Sequence, residues 1–136
     1  MRLIVLDTNV LVSAGISPDG PSAKIVTELV LGGTVQTVTS PFVRAEYREV
    51  CRRAKFIRYG FPPLWLEFLI GESLQLPEPE PWPFACPDPK DAPLIALAHR
   101  AGAWLVTGNM KHFPKAIRSE VIVVSPADYL ARIAGE

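Results

Sequence analysis

Leu3-Ile4-Val5-Leu6 is an unbroken apolar run, and Asp7 ends it. A continuous run of this length reads as a strand covered on both faces. Thr8 and Asn9 follow, and the chain turns apolar again at Val10. A charge is therefore placed at the C-terminal tip of a core element. An ionised carboxylate beside a core costs several kcal/mol unless it is paired, hydrogen-bonded or bound to a cation. Two readings of Asp7 compete. It can cap a helix opening at Asn9-Val10-Leu11-Val12. It can also be a metal ligand at the carboxyl end of a parallel strand, where open α/β sheets place their sites.

The rest of the chain repeats the alternation. Pro21 to Leu31 predicts a helix with Gly32-Gly33 after its end, and the β-branched stretch Thr34 to Thr39 a strand. Ser40-Pro41 is an N-cap followed by proline at the first helical position, opening a helix to about Lys55. Leu64 to Ile70 predicts a short apolar helix, and the proline-crowded stretch from Leu76 to Pro89 an irregular loop. A helix over Asp91 to Ala101, strands at Trp104 to Thr107 and Val121 to Val124, and a closing helix over Pro126 to Ile133 complete the chain. Alternating strands and helices predict an α/β three-layer sandwich around a central, mostly parallel sheet. With 136 residues and 49% hydrophobic content, residues 1–136 are expected to form one domain with its own core.

Composition narrows the function. Lys+Arg and Asp+Glu both number 14, so the formal net charge is +0 and polyanion binding must come from a local patch. Cys51 and Cys86 have neither C-x-x-C nor zinc-type spacing and read as reduced thiols of a cytoplasmic protein. No stretch has transmembrane length, so no membrane role is expected.

Three further positions share the chemistry of Asp7. On the helix after Ser40, Val43, Tyr47, Val50 and Ala54 share an inward stripe, and Glu46 lies at its margin. In Asp88-Pro89-Lys90-Asp91-Ala92-Pro93, either aspartate can cap the following helix, but capping explains only one of the two. Asp91 lies close to that helix's inner stripe of Leu94, Leu97, Ala98 and Ala101. Asn109 follows the strand ending at Thr107, although Gly108-Asn109 is also turn chemistry. Asp7, Glu46, Asp91 and Asn109 can thus face one rim. Oxygen donors without His or Cys select Mg²⁺ or Mn²⁺, and the natural chemistry is phosphodiester hydrolysis. His99 and His112 read as a surface residue and a loop residue.

Leu6-Asp7-Thr8-Asn9-Val10-Leu11, the Ser40-Pro41 helix with Glu46, Asp88-Pro89-Lys90-Asp91 with Leu94-Ile95-Ala96-Leu97-Ala98, and Leu105-Val106-Thr107-Gly108-Asn109 follow one another in an order that resembles the PIN-domain family, named for the N-terminal domain of PilT. Within it the chain looks most like toxin ribonucleases of type II toxin–antitoxin modules. The resemblance implies a doubly wound sheet of about five strands and Mg²⁺- or Mn²⁺-dependent cleavage of RNA. It implies Asp7, Glu46 and Asp91 as catalytic, metal-binding acids, with Asn109 where the family often has Asp. Asp88 either supplies a further carboxylate or only caps its helix, and Thr8 and Thr107 are placed to orient ligands. It also implies a homodimer and a small antitoxin partner.

For RNA, the candidate surface is the stripe Arg44, Arg48, Arg52 and Lys55, with a solvated helix face as the plainer alternative. For a protein partner, it is the apolar helix carrying Trp65, Phe68 and Leu69, with Trp82 and Phe84 of the proline loop as second candidates that equally suit covering the core. Two other classes compete: a catalytically inactive PIN-like module that binds RNA or a partner, and a phosphotransferase of the haloacid-dehalogenase type. The latter needs a second Asp where this chain has Asn9.

Overall fold

The computed structural model describes residues 2–136. Its sheet has five strands, β1 (Arg2–Leu6), β2 (Val35–Thr39), β3 (Leu74–Gln75), β4 (Trp104–Val106) and β5 (Val123–Val124), in the order β3-β2-β1-β4-β5. Every pairing is parallel, with Ile4 opposite both Thr37 and Trp104. Ile4, Val5 and Leu6 are all fully buried. Successive strand side chains point to opposite faces, so the sheet is covered on both, as the apolar run requires.

Among the described residues six α-helices connect and flank the strands: α1 (Thr8–Ile16), α2 (Pro21–Ala23), α3 (Pro41–Cys51), α4 (Leu66–Glu72), α5 (Ala92–Ala101) and α6 (Pro126–Ala134). The expected helix over 21–31 is present, but it widens after α2 into π-helical turns over Lys24–Val30. Thr27 donates its hydroxyl to the Ala23 carbonyl at 2.7 Å, taking an acceptor that a regular helix gives to a backbone N–H.

From β1 the chain builds outward through β2 to β3, then returns to the other side of β1 for β4 and β5. The direction reverses between β1 and β4. In doubly wound sheets this crevice, at the carboxyl ends of the strands, is where ligands sit. Asp7 follows β1 and Thr107 follows β4, so both lie at that point. On the neighbouring helix, Ser40 caps α3 by accepting from the Val43 N–H at 3.3 Å. One turn later Tyr47, fully buried, donates its hydroxyl to the Leu6 carbonyl at 2.5 Å. That bond ties α3 to the tip of β1.

Three expectations need correction. α3 stops at Cys51 instead of about Lys55. Beyond Cys51 every residue through Lys55 is exposed, so another turn would bury nothing, and Arg53 leaves the helix in an extended conformation. A separate 3₁₀ turn, Ala54–Tyr59, follows and ends at Gly60 in the left-handed region (φ 81°). The apolar helix is displaced to Leu66–Glu72 and is one-sided: Leu66, Leu69 and Ile70 enter the core while Phe68 stays exposed. The edge strand β3 was not expected. Two residues are too few to show a period, and the pairing continues through the Leu76 N–H to the Thr39 carbonyl at 2.9 Å.

Tyr47→Phe is predicted to lower stability by about 1–3 kcal/mol, because it strands a buried acceptor at Leu6. Urea unfolding of both proteins checks this; a midpoint unchanged within error would show that the bond carries no weight.

Candidate metal centre

Asp7 occupies the N-cap position of α1, yet its side chain makes no capping hydrogen bond. It turns across the crevice instead. The Asp7 backbone N–H donates to the Val106 carbonyl at 2.9 Å, extending the β1–β4 ladder by one residue. Its Oδ2 accepts from the Thr107 hydroxyl at 2.8 Å and from the Asn9 amide at 3.2 Å. Thr107 Oγ1 accepts in turn from the Asn109 N–H at 3.0 Å, so one hydroxyl joins both strand tips. Asn9 completes the link by accepting from the Gly108 N–H at 2.9 Å. A Cβ on Gly108 would stand 3.2 Å from Asn9 Oδ1, so a larger residue would push this close crossing apart.

The second carboxylate comes from the opposite direction. Asp88 caps the short 3₁₀ turn Pro89–Asp91 by accepting from the Lys90 N–H at 3.0 Å. That settles the capping question, for Asp91 caps nothing. Asp91 is only 8% exposed, and its Oδ2 has no hydrogen-bond partner. His112 Nδ1 lies 2.8 Å from that oxygen and pairs with it when the imidazole is protonated. Ligand atoms of Asp88, Asp91 and His112 all lie within 4.8 Å of one another. His112, read from sequence as an unremarkable loop residue, therefore belongs to the site. It stands on the 3₁₀ turn Met110–His112, and its Nε2 is 2.9 Å from Asn109 Nδ2. A short irregular turn carries no period, so only the local spacing Asn109-x-x-His112 could have signalled it.

Electrostatics bear on what the crevice can hold. Burial pushes the Asp7 carboxyl up from its usual range, against the pull of the Thr107 hydrogen bond. Burial, followed by the charge on Asp7, raises Asp91 to about 6, with His112 opposing the shift. Two buried carboxylates that repel each other, one with an unpartnered oxygen, are stabilised by a cation between them. Thr8 adds a buried hydroxyl with no partner. This oxygen-rich donor set fits a hard divalent ion.

The other candidates are distributed as follows. Glu46 is half-buried on α3, one residue before Tyr47, with no hydrogen-bond or ion-pair partner among the described residues. It is not part of the close group formed by Asp88, Asp91 and His112. The proposed basic stripe does not hold together. Arg48 makes a two-pronged pair with Glu67 at 2.8–3.3 Å, and Arg44 donates to the Thr39 hydroxyl at 3.1 Å. Arg52 is the exposed C-cap just beyond α3, while Lys55 sits on the separate turn with its ammonium 5.1 Å from the Phe56 ring centre. Leu69 is fully buried, so it is core and not a contact surface. Trp65 is half-buried against the core, and Phe68 remains exposed. Trp82 donates its indole N–H to the Ile117 carbonyl at 2.8 Å and packs edge-on against His99, which makes it a cover for the core.

The family model for the PIN domain matches residues 3–111, a span that contains Asp7, Glu46, Asp88, Asp91 and Asn109. In fold the chain is similar to VapBC2 from Rickettsia felis, in its crystal structure bound to a DNA fragment from their promoter. The TM-score is 0.64 at 17% identity, covering 91% of this chain and 98% of that one. It is also similar to FitAcB from Neisseria gonorrhoeae (TM-score 0.56, 21% identity, 91% and 98% covered). FitAB bound to an IR36 DNA fragment gives a TM-score of 0.55 at 22% identity, with 90% and 94% covered. No curated protein matches the chain.

The raised carboxyls set a pH dependence. Asp91 binds its proton more tightly in the fold than at its ordinary value of 3.8, so it favours the fold most below about pH 4. That contribution is lost as pH rises through about 6. Without added metal, Asp91→Asn is predicted to be more stable than the parent at pH 7.5 and close to it at pH 4.5. Urea titrations at the two pH values measure the difference. An equal gap at both would show that repulsion does not govern this pair.

Proposed function

The chain belongs to the PIN-domain family, and on that premise we propose that it is a divalent-metal-dependent endoribonuclease. The observation that carries this reading is the pair of buried carboxylates, Asp7 and Asp91, at the switch point of a parallel sheet, one with an unpartnered oxygen. Asp7 and Asp91 are the principal metal-holding and catalytic groups. Glu46, half-buried and unengaged, is free to approach as the third. Asp88 and Asn109 complete the surroundings. A bound Mg²⁺ or Mn²⁺ supplies a water activated for attack and shields the charge that grows on the phosphate oxygens.

The chain's own residues prepare the site. Thr107 and Asn9 hold Oδ2 of Asp7, which fixes the carboxylate's orientation at the rim. Both phosphate and ion must enter at the rim formed by the strand tips. With a net charge of +0, RNA is recruited by local cations, among them the exposed Arg52 and Lys55 just beyond α3.

We further read the chain as the toxin half of a toxin–antitoxin pair, a single cytoplasmic PIN domain over residues 1–136 acting as a homodimer with a small antitoxin. That the similar VapBC2 and FitAB structures contain DNA supports such a module. A chain without net positive charge would leave DNA contact to its partner. Among the described residues no helix is long and apolar enough to cross a membrane. Two observations favour a second reading, an inactive PIN-like binding module. A histidine already lies against Asp91, and Asn109 supplies no charge.

Two measurements separate these readings. Purified protein is predicted to cleave single-stranded RNA only with Mg²⁺ or Mn²⁺, and Asp7→Asn to lose about a hundredfold or more of that rate, since loss of even an orienting partner costs 10–100-fold in affinity or activity. Undiminished cleavage by the variant would sink the nuclease proposal, and ion binding without any cleavage would favour the inactive module. Thr107→Val is predicted to weaken ion affinity about tenfold by freeing Asp7. Calorimetric titration with Mn²⁺ reads this directly, and unchanged affinity would remove Thr107 from the site.

A further inference from the structure

The carboxylates alone leave His112 without a role. We propose that His112 is a direct ligand of the metal centre, binding through Nδ1 beside Asp88 and Asp91, and that the site therefore prefers a transition-metal ion such as Mn²⁺ over Mg²⁺. This rests on the metal-dependent reading above and specifies which ion that site takes.

Three observations support it. One ligand atom from each of Asp88, Asp91 and His112 falls inside a 4.8 Å group. Within it, Asp91 Oδ2 belongs to a residue more than nine-tenths buried and has no hydrogen-bond partner, although His112 Nδ1 is 2.8 Å away. When His112 is protonated the two atoms form an ion pair. Two ligands at right angles around an ion 2.0–2.1 Å from each stand about 2.9 Å apart, and slightly more for a larger ion, so the pair is spaced for a metal ion to take the proton's place.

The far side of the ring gives the third observation. A ligating histidine needs its other nitrogen held, so that tautomer and ring orientation are fixed. Here Nε2 lies 2.9 Å from the Asn109 side-chain amide. An amide serves both states by rotating half a turn: its NH₂ donates to a bare Nε2, and its oxygen accepts from Nε2–H when Nδ1 is on the ion. Asn109 is thus a positioning residue acting through His112. This gives a reason for an uncharged side chain at the tip of β4. Among divalent first-row ions the affinity of a site that holds nitrogen rises from Mn²⁺ onward, whereas Mg²⁺ is held through carboxylates and retained water.

Pulsed electron paramagnetic resonance on the full chain loaded with Mn²⁺ tests the assignment. A directly bound imidazole gives nitrogen modulation that changes from the ¹⁴N to the ¹⁵N pattern when histidine is ¹⁵N-labelled. The modulation should survive His99→Ala, whose ring packs on Trp82, and vanish in His112→Ala. Calorimetry should show the preference for Mn²⁺ over Mg²⁺ falling about tenfold or more in His112→Ala, with a smaller loss in Asn109→Ala. If His112→Ala does not fold, the labelled parent protein with the His99→Ala control decides. Bound Mn²⁺ without histidine coupling, or an unchanged ion preference in His112→Ala, overturns the role of His112 and leaves the carboxylate centre standing. A parent chain that binds neither ion overturns both.

Discussion

The hydrogen bond from the Thr107 hydroxyl to Asp7 closes the seam between β1 and β4, and the functional end of the molecule is organised around it. It joins residues 100 positions apart in sequence and is fully enclosed. The same hydroxyl receives the Asn109 N–H, which fixes the start of the turn that presents His112. A hydrogen bond to a charged group contributes about 1.5–3 kcal/mol, whereas burying an ionised carboxylate costs several. The raised Asp7 carboxyl shows which effect wins: the bond orients the group without neutralising it. The fold thus holds a carboxylate in a place where, without a cation, its charge is unfavourable.

Legibility in the sequence followed periodicity. Leu3 to Leu6 and Trp104 to Val106 are continuous apolar runs, and the polar residue after each could be assigned to a strand tip before any pairing was known. The α3 stripe of Val43, Tyr47 and Val50 was equally plain and carried Glu46 to its margin. Where the chain leaves a regular period, inference weakened. Extending α3 past Cys51 created a four-residue basic stripe that the structure divides between a helix, an ion pair and a separate turn. An apolar segment such as Leu66–Ile70 looks the same whether it faces a core or a partner, and burial alone decided for Leu69. His112 was missed for a related reason, since its importance comes from tertiary contact across a 3₁₀ turn.

Charge is distributed to match. Arg48 with Glu67 and Arg53 with Glu49 pair on the exposed surface, where such bridges contribute at most about 1 kcal/mol. Their effect on stability is small, but they cancel cations that would otherwise draw in any polyanion. In the crevice Asp7, Asp88 and Asp91 gather carboxylates, so on the proposed nuclease reading attraction of a phosphate to this end depends on an ion occupying it first.

The strand order has a consequence for how this chain comes into being. β1 and Asp7 are synthesised before β4 and the turn after it, which carry the groups that orient Asp7 and lie against Asp91. An amino-terminal half can lay down β1 and β2 side by side without possessing the crevice. The crevice closes only when β4 returns to the free side of β1. Until that strand and its turn are in place, the growing polypeptide carries Asp7 without the Thr107 hydroxyl that orients it.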